Sequence, residues 1–293
     1  MSNDIFKILC DLGISDKQSI VQFYPTVRDR KDVSVLKCQK SGVIFLSSSN
    51  HMELSHYETT KDFKYFAAHD RKAATSSGLE DTERRVKQFK YAIANKKWLD
   101  VGTGAGGILD ALSPIARQTV AIEPQEGVRK SLLEAGYDVY PSINEIPYND
   151  FEIVTLFHVF EHLTSPIETM LTLKEIMSPG AKIIIEVPHA KDFLISFLNL
   201  DAFKSFTFWS EHLLLHTRDS LRLFLEKAGF QNIVVKSHQR YPLANHLHWL
   251  TQEKPGGHIM WDFLRSTDLD AAYENLLGKL DYSDTLIASA TKP

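Results

Sequence analysis

The chain has 293 residues, enough for one large domain or for one domain with a smaller appendage. A hydrophobic fraction of 43% and a net charge of −4 are ordinary for a globular protein and argue against nucleic acid as a partner. No apolar run approaches the ~18 residues of a membrane span, and the first residues lack the basic segment of a secretory signal. Cys10 and Cys38, the two cysteines, exclude a disulfide framework. We therefore expect a cytoplasmic protein.

The first 80 residues predict a small N-terminal module. The segments DVSVLKCQ and SGVIFLSS are rich in β-branched residues and predict two short strands around a turn at residues 40–42. The following segment, NHMELSHYETTKDFKYF, is predicted to be helical or irregular. The small, polar segment RKAATSSGLED predicts a linker, and we place a domain boundary after residue 80.

From residue 81 onwards, strand patterns alternate with helix patterns. The predicted strands are KWLDV, TVAIEP, YDVYP, FEIVTLFHV, AKIIIEVP, FQNIVVKSH and DTLIASATK. The predicted helices are DTERRVKQFKYAIANKK, ILDALSPIA, QEGVRKSLLEAG, SPIETMLTLKEIMSPG and RDSLRLFLEKAG. The fourth of these helices is predicted to stop at Pro179–Gly180. Such alternation predicts an α/β fold with a doubly wound, mostly parallel sheet.

Four glycines follow the first strand of this domain, in the segment WLDVGTGAGG. Ligands of doubly wound sheets bind at such a turn, against backbone amides and a helix N-terminus. Gly102, Gly104 and Gly107 also satisfy the dinucleotide pattern G-x-G-x-x-G, so an NAD-dependent oxidoreductase is an alternative. Asp100 favours a cationic ligand, because a carboxylate would repel a pyrophosphate. S-adenosylmethionine carries an ammonium and a sulfonium and is such a ligand. Glu123, after the second strand, could accept hydrogen bonds from ribose hydroxyls, but an acid there fits both S-adenosylmethionine and NAD.

Four segments, in the right order and spacing, resemble the motifs of the class I S-adenosylmethionine-dependent methyltransferases. They are LDVGTGAGG, AIEP, YNDFEIVTLFHVFEHLTSP and LKEIMSPGAKIIIEVP. The resemblance covers about residues 85–240 and the final strand. It implies a Rossmann-like, seven-stranded sheet ending in a reversed strand hairpin, with S-adenosylmethionine as the cofactor. The cofactor-binding residues that it implies are Asp100, Gly102, Thr103, Gly104, Gly106, Glu123, Pro124 and His158.

Two further segments are similar to parts of bacterial sugar and natural-product methyltransferases. VLKCQKSGVIFLS resembles an N-terminal zinc knuckle, but Ser41 stands where the second cysteine belongs, so we predict a module without metal. FWSEHLLLHTRDSLRLFLEKAGF resembles the Glu–His segment of sugar C-methyltransferases. The resemblance implies a small polar acceptor, most plausibly a sugar or nucleotide-sugar of surface polysaccharide or natural-product biosynthesis.

A hydroxyl or acidified carbon must lose a proton during methylation, and histidine is the usual base near neutral pH. His212, in the Glu–His segment, is the predicted general base, with Glu211 beside it and His162 as a further catalytic candidate. A structural role is the alternative for each histidine. HVFEH also resembles the E-x-x-E-H motif of metal-assisted methyltransferases, and His212 could complete that shell. Because His158 replaces the first acid, magnesium is disfavoured, and we predict no functional metal.

About forty residues, roughly 241–280, separate the last two strands, far more than a hairpin needs. They predict a helical insertion that is either a lid over the substrate or a contact between two copies in a homodimer. Arg240, Tyr241 and His246 are the predicted substrate-binding residues, because aromatic groups with polar tips suit sugar faces. Two alternatives to a sugar methyltransferase stay open: methylation of a quinone-like or other small aromatic acceptor, and a non-catalytic module that kept the cofactor site.

Overall fold

The computed structural model describes residues 4–52, 63, 65 and 68–293. Most of the segment predicted to be helical or irregular after Ser49 lies outside the described residues. Near the N-terminus the elements are α1 (Asp4–Asp11), β1 (Ile20–Tyr24), β2 (Val35–Cys38) and β3 (Ile44–Leu46). The predicted turn between β2 and β3 is present, with Gly42 donating its N–H to the Cys38 carbonyl at 2.8 Å. Strand β9 (Leu214–Leu215) pairs with β3 and completes this antiparallel sheet.

The predicted linker RKAATSSGLED is helical, which corrects the sequence interpretation. The Asp70 carboxylate accepts the Ala73 N–H at 2.8 Å and caps α2 (Arg71–Ser77). Helix α3 (Leu79–Ile93) follows after Gly78. Small polar residues weaken a helix only slightly, and a capping carboxylate offsets that cost by about 1 kcal/mol. The boundary predicted after residue 80 falls in the first turn of α3, so the division of the chain stays a prediction.

The larger sheet has seven strands. In chain order they are β4 (Lys97–Val101), β5 (Gln118–Ile122), β6 (Val139–Tyr140), β7 (Phe151–Phe157), β8 (Met177–Pro188), β10 (Gln231–His238) and β11 (Thr285–Thr291). Their spatial order is β10-β11-β8-β7-β4-β5-β6, and β11 alone runs antiparallel to its neighbours. The predicted α/β fold with a reversed final hairpin is confirmed.

Helices cover this sheet between its strands. They are α4 (Gly107–Leu112), α5 (Glu126–Glu134), α6 (Pro166–Ile176), α7 (Asp201–Thr207) and α8 (Arg218–Lys227). Helix α6 ends three residues earlier than predicted, because Met177 pairs with Phe151 and already belongs to β8. Pro179–Gly180 therefore lie inside the strand, where the Gly180 N–H donates to the Lys292 carbonyl. The central strands and the N-terminal sheet contribute to one hydrophobic core, in which Leu99, Ile183 and Phe45 are fully buried.

The predicted insertion is helical. It comprises α9 (Leu243–Gln252), α10 (Gly257–Met260) and α11 (Thr267–Leu280). Its base is fixed by Asp284, whose carboxylate accepts the N–H groups of Arg240 and Tyr241 at 3.0 Å. Its roles as a lid or as a dimer contact both stay predictions. Among the described residues, no helix is long and apolar enough to cross a membrane.

Candidate active site

The glycine-rich turn leaves β4 at the carboxyl edge of the sheet, as predicted. The N–H groups of Gly102 and Thr103 both donate to the Ile122 carbonyl, at 2.8 and 3.0 Å, and tie the turn to the end of β5. Gly102 has a φ of +68°, and an added Cβ would lie 2.5 Å from Cγ2 of Val159. Gly106 precedes α4 as its N-cap. The turn is therefore a bare backbone surface that larger residues could not form.

Glu123, which follows β5, is hydrogen-bonded to the turn. Its Oε2 accepts the Gly104 N–H at 2.9 Å, and its Oε1 accepts the Gln125 N–H at 2.8 Å. The neighbouring Pro124 carbonyl accepts from Arg129 at 2.7 Å. Burial raises the pKa of Glu123 to about 7. Each carboxylate oxygen keeps a second lone pair, so Glu123 can still accept hydrogen bonds from two hydroxyl groups.

Asp100 lies one residue before the end of β4, below the turn. Its Oδ1 accepts the Thr155 hydroxyl at 2.5 Å, and Thr155 in turn accepts the indole N–H of Trp98 at 2.8 Å. Burial raises the pKa of Asp100 to about 6. Within the described part of the chain, no salt bridge reaches this carboxylate. The edge beside the turn therefore carries two buried carboxylates, and the charges of Arg85 and Arg129 only partly oppose the rise in their pKa values.

Tyr65 covers the turn, which the sequence analysis missed. A Cβ added to Gly104, whose φ is +56°, would lie 2.6 Å from the Tyr65 hydroxyl oxygen. Burial and the nearby Glu123 charge raise the pKa of Tyr65 to about 12. Nothing in the spacing of the segment DFKYF marks this tyrosine, because the contact spans about forty residues of chain. The bare backbone at Gly104 thus faces an aromatic side chain across a narrow gap.

The groups around the glycine turn fit S-adenosylmethionine. A glycine turn gives close approach to backbone amides, Glu123 has lone pairs for ribose hydroxyls, and Asp100 places negative charge near a cationic ligand. The pyrophosphate of NAD would instead meet the buried Asp100 carboxylate, whereas Glu123 suits the ribose of either ligand.

His158 leaves β7 with a φ of +56° and is held in a charged network. Its Nδ1 lies 3.2 Å from Oε1 of Glu161, and its Nε2 lies 3.2 Å from Oε1 of Glu186 and 3.0 Å from Nη1 of Arg240. Burial and Arg240 oppose the charged ring, but hydrogen bonds to the two carboxylates raise the pKa of His158. The sequence placed His158 at the cofactor; its contacts are with this network.

Glu186, near the end of β8, is fully buried and accepts hydrogen bonds from two arginines. Arg84 donates to both of its oxygens, at 2.9 and 2.8 Å, and Arg85 donates at 2.7 Å. Although burial acts in the opposite direction, these guanidiniums hold the pKa of Glu186 well below its usual range. Asp81 pairs with Arg240 and with Arg84. The sequence signal for this network is a carboxylate inside the apolar strand IIIEVP, which requires a buried cation.

The three predicted catalytic residues come together beyond β7. The ring centres of His162 and His212 are 5.2 Å apart, and Nδ1 of His162 lies 3.7 Å from Oε2 of Glu211. The Leu213 N–H donates to the Glu161 carbonyl at 2.9 Å, which joins the two loops. Burial lowers the pKa of His212 to about 3. His212 is therefore neutral but a weak base at neutral pH.

The predicted substrate-binding residues separate into two groups. Arg240 reaches His158 and Asp81, and Tyr241 stands next to it with about a third of its surface exposed. His246 is only 3% exposed: its Nδ1 lies 2.7 Å from the Tyr273 hydroxyl, and its ring stacks on Phe193. The expectation that His246 contacts the substrate is therefore corrected. Its ring packs the insertion against the body of the protein.

A family model described as a methyltransferase domain matches residues 68–235, more than half of the chain. The chain belongs to this family. No curated protein matches it. This methyltransferase shares its fold with solved structures of low identity.

One similar structure is a methyltransferase of Haloferax volcanii, solved with the Trm112 methyltransferase activator. It is 14% identical, with a TM-score of 0.51, over 80% of this chain and 100% of that one. Another is phosphoethanolamine N-methyltransferase 2 of Haemonchus contortus, solved with S-adenosylmethionine. It is 14% identical, with a TM-score of 0.50, over 78% of this chain and 58% of that one. At these identities the likeness shows the fold alone.

The methyltransferase uses S-adenosylmethionine as its methyl donor. The donor supplies a methyl group already activated on a sulfonium. The work left to the chain is to hold the donor, to exclude water, to align the acceptor and to help its proton leave.

Proposed function

We propose that this methyltransferase methylates a small polar acceptor, a sugar or nucleotide-sugar, bound against Glu161, His162, Glu211 and His212. One observation carries the proposal: Glu161 and His162 belong to the loop whose Val159 packs on Gly102 of the glycine turn, and the Leu213 N–H, which donates to the Glu161 carbonyl, holds Glu211 and His212 beside that loop. A group bound at this loop would lie next to a donor bound at that turn.

For the donor, we propose that Glu123 accepts the ribose hydroxyls, that Asp100 faces the cationic end, and that residues 102–106 with Pro124 form the surface beneath. The lone pairs left on Glu123 and the acidic character of the edge support these roles. His158 is not assigned to the donor, because its ring contacts Glu161, Glu186 and Arg240.

A polyhydroxylated acceptor suits the chemistry of the loop. Imidazoles and carboxylates supply both donors and acceptors for hydroxyl groups. Trp209 stacks parallel to His212, with ring centres 5.6 Å apart, and the exposed ring of Tyr241 lies beside Arg240. Aromatic faces next to such polar groups are typical surroundings for a sugar ring.

The acceptor hydroxyl must lose its proton, and His212 alone is poorly suited to take it. A buried imidazole with a pKa of about 3 binds a proton weakly. We therefore propose that His162 and His212 act on the acceptor oxygen together. His212, predicted from the sequence as the general base, thus shares that role with His162 in this proposal.

The test is a screen of acceptors with S-adenosylmethionine, in which mass spectrometry detects the gain of one methyl group. Nucleotide-sugars, free sugars and small phenols or quinols form the three panels. We expect methylation of a nucleotide-sugar or sugar, and loss of the product with His212→Gln. Methylation confined to the phenol or quinol panel would show that the acceptor class is wrong.

A further inference from the structure

The loop beyond β7 brings together three side chains with metal-ligating atoms. One ligand atom from each of Glu161, His162 and His212 lies within 4.8 Å of the others. Glu161 and His162 belong to a short 3₁₀ turn, Phe160–His162, and His212 comes from the loop before β9. Because the Leu213 N–H donates to the Glu161 carbonyl at 2.9 Å, the backbone fixes this arrangement.

The carboxylate of this cluster is incompletely satisfied. Glu161 is fully buried, and among the described residues its Oε2 has no hydrogen-bond partner. Its Oε1 is 3.2 Å from the His158 ring and 3.7 Å from the His162 ring. The buried Nε2 of His216 is also without a partner and lies beyond hydrogen-bond distance of Glu161. A buried carboxylate oxygen left unsatisfied is costly, and a bound cation would remove that cost.

The orientation of His162 is also that of a metal ligand. Its Nε2 faces Glu161 at 3.7 Å, while its Nδ1 faces the Glu211 carboxylate at 3.7 Å. Ligating imidazoles usually direct the second ring nitrogen towards a carboxylate or carbonyl, which fixes the tautomer. Glu211 would have that supporting role, with Nε2 of His162 turned to the ion.

The chemistry of these three ligand groups favours one class of ion. Two imidazoles and one carboxylate suit zinc(II), iron(II) and similar divalent transition metals, whereas magnesium and calcium prefer oxygen ligands. His162 and His212 are each partly exposed among the described residues, so a further ligand can reach the cluster. Three protein ligands with an open position are typical of a catalytic rather than a structural site.

We propose that Glu161, His162 and His212 bind a divalent transition-metal ion that takes up the acceptor oxygen. This departs from the sequence-based prediction of no metal: His158, the residue that argued against magnesium, here supports Glu161 instead of serving as a ligand. The role of the ion in the reaction rests on the proposed function, whereas the binding of the ion does not.

An ion at this point would lower the pKa of a coordinated hydroxyl, so that its proton leaves to solvent without a strong base. The oxygen would then form a bond to the methyl carbon while the carbon–sulfur bond breaks, and sulfur would keep the electron pair.

The experiment measures metal binding without any turnover. The full chain, free of a histidine tag and stripped with a chelator, is titrated with Co²⁺ by visible absorption and with Zn²⁺ by calorimetry. We expect one equivalent of each ion. His162→Asn and His212→Gln should lose the cobalt absorption, and Glu211→Gln should weaken binding roughly 10–100-fold. Circular dichroism and affinity for S-adenosylmethionine establish that each variant is folded.

Two controls separate this site from others. Cys38→Ser should keep full binding, which excludes the remnant of the N-terminal knuckle, and so should His258→Ala, which removes a partly exposed histidine of the insertion. Absence of saturable binding by the unaltered chain overturns the proposal, as does binding that persists in His162→Asn and His212→Gln. Sugar methylation by metal-free protein would overturn the role of the ion in the reaction and keep the proposed function. Metal binding with no sugar methylated would keep the metal site and overturn the proposed acceptor.

Discussion

The two sides of the carboxyl edge hold their buried carboxylates in opposite ways. Beside the glycine turn, Asp100 and Glu123 accept hydrogen bonds from a hydroxyl and from backbone amides, and burial raises the pKa of both. Beyond β7, Glu161 and Glu186 are surrounded by imidazoles and guanidiniums. Although burial opposes it, those groups lower the pKa of Glu161 to about 2 and hold the pKa of Glu186 well below its usual range.

The difference indicates what each side is missing. Among the described residues, no salt bridge reaches the carboxylates at the turn, so a ligand that brings hydroxyl groups and positive charge would stabilise their ionised forms. On the other side, Glu186 already has its cations, whereas Oε2 of Glu161 has no hydrogen-bond partner among the described residues. We therefore expect the turn to respond to the donor, and the Glu161 cluster to respond to the acceptor and its ion.

The largest effect is expected from the acceptor side. His162→Asn and His212→Gln should each lower turnover by roughly 10²–10⁴, the contribution typical of groups that assist proton loss. Affinity for S-adenosylmethionine should stay nearly unchanged, because its proposed contacts lie at the turn. Single-turnover rates and calorimetry check the two expectations. A loss of donor affinity that matches the loss of rate would show that the two sides are not separate.

Removing the carboxylate at the centre of the arginine network should have the largest effect on stability. Glu186→Ala removes the carboxylate that Arg85 pairs with and leaves Arg84 with Asp81, so we expect the free energy of unfolding to fall by about 3–5 kcal/mol. Glu152→Ala is the matched control: it removes a partly exposed pair with Lys96 and Arg117. That pair should be worth at most about 1 kcal/mol. Equal losses of unfolding free energy in the two variants, measured by urea denaturation, would contradict the distinction between the buried and the partly exposed ion pairs.

The raised pKa of Glu123 predicts a smaller, pH-dependent effect in the absence of the donor. A carboxyl group whose pKa rises on folding binds more protons in the folded state, so its stabilisation is present below the unfolded pKa and is lost as pH rises. For Glu123 the window runs from its ordinary value of 4.5 to about 7. Each pH unit within this window changes the free energy of unfolding by about 1.4 kcal/mol. Denaturation at several pH values in this window should show that the free energy of unfolding falls less steeply with pH in Glu123→Gln than in the unaltered chain. Identical slopes would show that Glu123 does not cause the pH dependence.

The succession of strands and helices along the chain could be predicted from the sequence, because it depends on local periodicity and on motifs in fixed order. The glycine turn and Glu123 were found for the same reason, since each directly follows a strand. The failures depend on partners distant in sequence. Arg84 and Glu186 are separated by 102 residues, and on its own Arg84 appears to be a solvated residue of α3. Tyr65 meets Gly104 only in the folded chain.

The helix at Arg71–Ser77 was missed for a local reason. Its small, polar residues suggested a linker, and the stabilising element is a single cap, Asp70, just outside the segment. His246 was assigned to the substrate on residue type, but its side chain turns inwards to Tyr273. Burial, not residue type, decides whether a histidine is available to a ligand.

The most direct test of the account is calorimetry of S-adenosylmethionine binding to the unaltered chain, to Glu123→Gln and to Gly104→Val. Glu123→Gln keeps the shape of the side chain and removes its charge, while Gly104→Val places a branched side chain against Tyr65; Gly78→Ala, between α2 and α3, is the control. We expect the unaltered chain and the control to bind S-adenosylmethionine and not NAD. Glu123→Gln should weaken binding by about 1.5–3 kcal/mol, the worth of a charged hydrogen bond, and Gly104→Val should abolish it. Unchanged affinity in both variants would contradict the placement of the donor at the glycine turn.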